Sequence, residues 1–86
     1  MYYVYIIRSI PAGRYYTGST GDWRGRLRQH NSGKVRSTKA YKPWEMVRLE
    51  EHQDRTEARK RELQIKRFKS GDALLKLIQE SSAHRE

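Results

Sequence analysis

Tyr5 and Tyr16 stand eleven residues apart, and Gly18, Arg26 and His30 follow them. Glu62 comes later, within Lys60-Arg61-Glu62-Leu63-Gln64-Ile65-Lys66. A phenol can give or take a proton and an imidazole can relay one. A guanidinium can clamp an oxyanion, and a carboxylate can hold a hard cation. These are costly side chains for a small core. A buried tyrosine must satisfy its hydroxyl, and an arginine on an inward helix stripe needs a partner or a task. Val, Leu and Phe would build a structural domain more simply. Together the residues point to a site.

The elements that must position them can be read from composition and period. Met1 to Arg8 is rich in Tyr, Val and Ile, and Tyr15 to Thr20 reads the same way, so both are predicted strands. Ile10-Pro11-Ala12-Gly13 is the turn between them. Centring the turn between Ile10 and Pro11 places Tyr5 opposite Tyr16 on one face of an antiparallel hairpin. Asp22 is a good N-cap for a helix running to about Asn31, stopped by Ser32-Gly33. Trp23, Arg26, Leu27 and His30 share one helical stripe, which should face the sheet. Arg24 and Arg28 lie off it. Residues 33 to 42 read as a loop mixing four basic residues with small hydroxyls and Tyr41.

Pro43-Trp44 to Glu51 reads as a third strand. Asp54-Arg55-Thr56-Glu57 has capping-box spacing, so a helix begins near Arg55. Ala58, Glu62, Ile65 and Phe68 share a face, whereas Leu63 points the other way. Ser70-Gly71 breaks that helix, and Asp72 to about Glu80 is a last one. The expected fold is α/β (α+β): a small three-stranded mixed sheet flanked by helices, in the order β-β-α-β-α-α. Residues 1–80 form one domain and 81–86 a flexible tail.

Size and charge narrow the options. The chain has 86 residues, no cysteine and a net charge of +9. One core is what that length sustains, and disulfides and thiolate metal sites are excluded. The apolar run Tyr2 to Ile7 is far too short for a signal-peptide core or a membrane span. A cytoplasmic protein, free or nucleoid-associated, is the expectation. So strong a positive field calls for a polyanion, most simply nucleic acid, and no membrane partner. The loop residues Lys34, Arg36, Ser37, Thr38 and Lys39 suit a phosphate backbone, with Tyr41 available to a stacked base.

On these residues the chain resembles the GIY-YIG nuclease family. Tyr3-Val4-Tyr5 takes the place of the first triplet and Tyr16-Thr17-Gly18 that of the second. Arg26 stands at the arginine position with His30 one turn on, and Glu62 matches the metal-holding glutamate. Ser37-Thr38-Lys39 and Pro43-Trp44 are similar to the small free-standing members. The resemblance implies a metal-dependent DNA endonuclease, structure-selective or weakly sequence-selective, acting in DNA repair or recombination. It implies one Mg²⁺ or Mn²⁺ ion at Glu62, with Tyr5, Tyr16, Arg26, His30 and Glu62 as the catalytic set. Gly18 would be the active-site wall, and Lys66 would join the loop residues in contacting nucleic acid. DNA is the expected substrate, with RNA as an alternative, and the chain is expected to be a monomer.

Elementary chemistry agrees with each role. Phosphodiester hydrolysis needs a deprotonated water, a cation to bear developing charge and a stabilised leaving oxygen. A free tyrosine has a pKa of about 10, so a tyrosine base needs a cation nearby. Which of Tyr5 and Tyr16 takes the proton stays open. Plainer readings exist for every group. Arg26 could pair with Glu62, Glu62 with Lys66, and His30 could be a satisfied structural histidine. Tyr3 and Thr17 depart from the family's usual Gly and Ile. No second DNA-binding domain is expected, so binding should be electrostatic and salt-sensitive. The competing function is a nucleic-acid binder without turnover, or a subunit that needs a protein partner.

Overall fold

Two strands, Tyr2–Ser9 (β1) and Tyr15–Thr20 (β2), open the chain in the computed structural model, which describes residues 1–68 and 71–83. Helix α1 spans Trp23–Ser32 and a short 3₁₀ turn Lys39–Tyr41. Strand β3 spans Trp44–His52, and helices α2 (Arg55–Lys66) and α3 (Gly71–Ala83) follow. The sheet order is β2-β1-β3, and both pairings are antiparallel, so the sheet is not mixed. The first strand is therefore central and buried on both faces. Val4, Ile6 and Ile7 are 1% exposed or less, and each contributes about 1.5–3 kcal/mol of apolar burial.

Alternation along β1 splits the core in two. Val4 and Ile6 cluster with Ala58 and Ile65 of α2 and Leu77 of α3. Tyr5 and Ile7 face the other way, clustered with Trp44 and flanked by Tyr16, Leu27 and Tyr41. The sheet is thus sandwiched, with α1 on the tyrosine face and α2 and α3 on the opposite one.

The hairpin register differs from expectation by two residues. Tyr5 lies opposite Gly18, and Tyr16 opposite Ile7. The turn sets this. The Gly13 amide donates to Ser9 O at 2.8 Å, the Ser9 amide donates to Arg14 O at 2.8 Å, and Gly13 takes φ +68°. The loop therefore closes one residue later than a turn centred on Ile10-Pro11. Ser9 is fully buried and pins the loop from inside, its hydroxyl accepting from the Ala12 amide and donating to Tyr41 O.

Both helix starts follow their caps. Asp22 accepts from the Gly25 amide and Asp54 from the Glu57 amide. Gly33 ends α1 in the left-handed region at φ +83°, donating to Gln29 O. Helix α3 runs three residues beyond the expected end at Glu80, so residues 81–83 are helical rather than tail. Ser70 and residues 84–86 lie outside the described residues.

Candidate active site

Tyr5 is 3% exposed, and its hydroxyl lies 3.0 Å from His30 Nε2. His30, 1% exposed on the inner stripe of α1, is held at its other nitrogen by Thr38 Oγ1 at 2.8 Å. Thr38 is itself 1% exposed and is fixed by a 3.3 Å bond to Val35 O. A chain Tyr5–His30–Thr38 therefore runs from the sheet through α1 into the loop before β3. This corrects one expectation, because Thr38 is buried and cannot contact a nucleic acid. The loop is ordered around it. The Trp44 indole donates to Thr38 O at 3.0 Å, and Asn31 makes hydrogen bonds of 2.6 and 3.1 Å to the Trp44 backbone.

Gly18 makes room for Tyr5. A Cβ built there would lie 2.5 Å from the Tyr5 hydroxyl and 2.7 Å from Cζ. The phenol is thus seated directly over the backbone of edge strand β2. Tyr16 sits diagonally beside it, with ring centroids 6.4 Å apart, and 5.1 Å from the His30 ring. The Tyr16 hydroxyl has no hydrogen-bond partner among the described residues, and the side chain is half-buried. The two phenols and the imidazole form one aromatic cluster closed by Trp44.

Arg26 lies one turn before His30 on the same stripe and is half-buried. Its guanidinium makes no ion pair or hydrogen bond among the described residues. The Arg26–Glu62 pair is absent. The charge of Arg26 is nonetheless felt in the cluster. Burial, and then Arg26, push the His30 pKa below its ordinary value. Burial, and then the neighbouring Tyr16, raise the Tyr5 pKa, while Arg26 opposes that rise.

Glu62 is 8% exposed and comes from the other side of the sheet, since α2 packs on the Val4 and Ile6 face. It does not share the face of Tyr5, Arg26 and His30. It meets the site at the edge strand, where Ser19, the residue after Gly18, donates to Oε1 at 2.6 Å. Oε2 accepts from Lys66 Nζ at 2.7 Å. Burial pushes the carboxyl pKa up, but the Lys66 and Ser19 hydrogen bonds outweigh it and hold the pKa below the ordinary carboxylate range. The charge of Glu62 in turn contributes to the raised pKa of Tyr5.

Among the described residues no group of three or more His, Cys, Asp and Glu converges to hold a metal ion. A single ionised carboxylate still fits Mg²⁺ or Mn²⁺, whose remaining positions go to water and phosphate. Glu51 and Glu57 are exposed and away from the cluster. Of the expected nucleic-acid contacts, Lys34, Arg36, Ser37 and Lys39 are exposed, Gly18 is buried under Tyr5, and Lys66 is paired. Tyr41 carries the Arg14 guanidinium 4.5 Å above its ring, so one of its two faces is already covered. Sequence reasoning missed the site roles of Ser19, Asn31 and Thr38. The signal for Ser19 was its parity, which sets it on the opposite face from Gly18.

Comparison with known proteins shows the family and the fold. A family model described as the GIY-YIG catalytic domain matches residues 1–71. A UPF0213 protein of Staphylococcus epidermidis is 39% identical over 80 residues, covering 92% of this chain and 95% of its own. The structure-specific endonuclease subunit SLX1 of Debaryomyces hansenii is 44% identical over 55 residues, 56% of this chain but 16% of that protein. The solution structure of a UPF0213 protein from Bacillus halodurans superposes with a TM-score of 0.58 at 31% identity, over 92% of this chain and 84% of that one. The chain belongs to the GIY-YIG nuclease family, alongside its small UPF0213 members.

Proposed function

We propose that this protein is a divalent-metal-dependent DNA endonuclease, structure-selective or weakly sequence-selective, with a role in repair or recombination. The observation that carries the proposal is Arg26. It is a half-buried guanidinium with no anion of the protein on it among the described residues, beside two phenols and an imidazole. A scissile phosphate supplies the missing anion and would lie beside the tyrosine cluster. Oxyanion clamping by a preorganised cation is the larger part of such catalysis.

The remaining roles follow from position. His30, locked by Thr38, aligns the Tyr5 hydroxyl. Tyr5 receives the proton of the attacking water and can pass its own to His30 Nε2. Tyr16, whose hydroxyl is unbonded among the described residues, orders that water or a phosphate oxygen. The water oxygen bonds to phosphorus as the phosphorus–oxygen bond to the leaving strand breaks, and that oxygen is protonated from solvent. Glu62 would hold the ion, which when bound neutralises developing charge and eases deprotonation of water. The exposed cations Lys34, Arg36 and Lys39 track the flanking phosphates. The chain acts as a monomer in the cytoplasm.

A panel of flapped, branched, single-stranded and duplex DNA with Mg²⁺ or Mn²⁺ tests this. Wild type should nick the branched substrates. Arg26→Ala and Glu62→Gln should each lower nicking by about two orders of magnitude or more while their melting curves stay cooperative. Equal cutting by both variants and wild type would place the activity elsewhere. A second reading, a subunit inactive until a partner engages it, is favoured by one observation: both Glu62 oxygens are already taken by Ser19 and Lys66.

A further inference from the structure

Lys66 is the last residue of α2 and half-exposed, whereas the Glu62 side chain it pairs with is 10% exposed. The two lie one turn apart, so the pair is local to the helix and does not tie α2 to the sheet. Ser19 does that, through the other oxygen. The ammonium thus already pairs with Oε2, the oxygen that Ser19 leaves free for a hard cation. A further cation stands near, since Arg59 is exposed and its charge reaches Glu62. A divalent ion approaching the free protein meets a carboxylate already neutralised by a lysine and within reach of the Arg59 charge.

From this arrangement we infer that Lys66 is a latch on the Glu62 ion site, and that nucleic-acid phosphate releases it. The inference rests on the reading of Glu62 as the ion-holding residue and adds its regulation. A long flexible stem lets the lysine head swing without moving the helix. A backbone phosphate of a bound nucleic acid offers the half-exposed ammonium a new anion, at which point Oε2 is open to the ion. Ion and substrate then bind with positive coupling, each favouring the arrangement the other needs. The free protein binds the ion weakly and gains affinity for it on a nucleic acid.

Mn²⁺ binding, followed by electron paramagnetic resonance, tests the latch without any turnover. The comparison uses wild type, Lys66→Gln and Glu62→Gln, each alone and with a short branched DNA carrying non-cleavable phosphorothioate linkages. Binding to the DNA itself is subtracted with Glu62→Gln. Without DNA, Lys66→Gln should bind Mn²⁺ about fivefold or more tighter than wild type. Adding DNA should tighten wild type by a similar factor and Lys66→Gln by less than about twofold. Equal affinity of wild type and Lys66→Gln without DNA, or binding by neither, overturns the latch. Lys66→Ala, checked for an unchanged melting temperature, repeats the comparison without the amide of Gln. The nuclease reading fails separately. A Lys66→Gln protein that gains Glu62-dependent Mn²⁺ binding yet cuts nothing keeps the latch and removes the nuclease. A wild type that cuts with Mg²⁺ while both proteins bind Mn²⁺ alike does the reverse.

Discussion

Tyr5 is placed by what lies beneath it as much as by what it bonds. Its hydroxyl and Cζ occupy the volume that any side chain at position 18 would need. Gly18→Ala should therefore push the phenol off the edge strand and break its 3.0 Å bond to His30. Overpacking of this kind costs about 1–3 kcal/mol, to be read from urea unfolding. A cycle with Tyr5→Phe makes the test specific. That substitution removes the hydroxyl oxygen, the atom in closest conflict, so the alanine should cost about 1 kcal/mol less in that background. Equal cost in both backgrounds would mean that the phenol is not what Gly18 accommodates. The triplet residues thus have a physical reason to occur together, since the tyrosine of one requires the glycine of the other.

The elements show what period can and cannot tell. Tyr5 and Tyr16 share a sheet face because strand side chains alternate with period two. The actual register slips by two residues and keeps that parity. Turn closure at Gly13 removes the opposing pair, while the shared face survives. The stripe Trp23, Arg26, Leu27 and His30 is equally legible, with His30 fully buried on it. For α2 the period names the buried face correctly, Ala58, Glu62 and Ile65. It cannot say which side of the sheet that face covers, because both sides of β1 are apolar. Periodicity alone therefore points Glu62 toward Tyr5, whereas the carboxylate is found across the edge strand, held by Ser19.

The same element level holds a network with no part in the site. Glu50 of β3 accepts from Arg61 of α2 and from Arg48, and Arg48 also donates to Leu77 O of α3. Burial pushes the Glu50 pKa up, but the hydrogen bonds from Arg61 and Arg48 bring it down to about 2. Its folded pKa is thus depressed relative to the unfolded chain. The linked stability is fully present above the ordinary value near 4.5 and is lost as pH falls through about 2. Such a shift corresponds to about 3 kcal/mol. Glu50→Gln should lower stability at neutral pH by that order and flatten the wild-type decline between those two pH values. Denaturant midpoints across that range check it. Parallel curves for the two proteins would show that the network adds nothing to the fold.

At the scale of the whole molecule, the charge of +9 belongs to the surface and not to the chemistry. Among the described residues the catalytic candidates contribute one unpaired cation, Arg26, whereas Lys34, Arg36 and Lys39 are exposed in the segment that also carries buried Thr38. That segment therefore has two jobs along its length. Its inner residue locks His30, and its outer ones present a basic rim next to the tyrosine cluster. If the rim lies on phosphates, each contact releases counterions, and the logarithm of affinity falls linearly with the logarithm of salt concentration. Replacing Lys34, Arg36 and Lys39 together with serine should flatten that slope by about 2–3 on duplex DNA, at about 0.9 per contact. The binding constant itself should fall at low salt and converge with wild type at high salt. Anisotropy titrations with the Glu62→Gln background, which should bind without cutting, give the two slopes directly. An unchanged slope would move the nucleic acid to another face, and Arg24 and Arg28 on the outer side of α1 would be the next cations to replace.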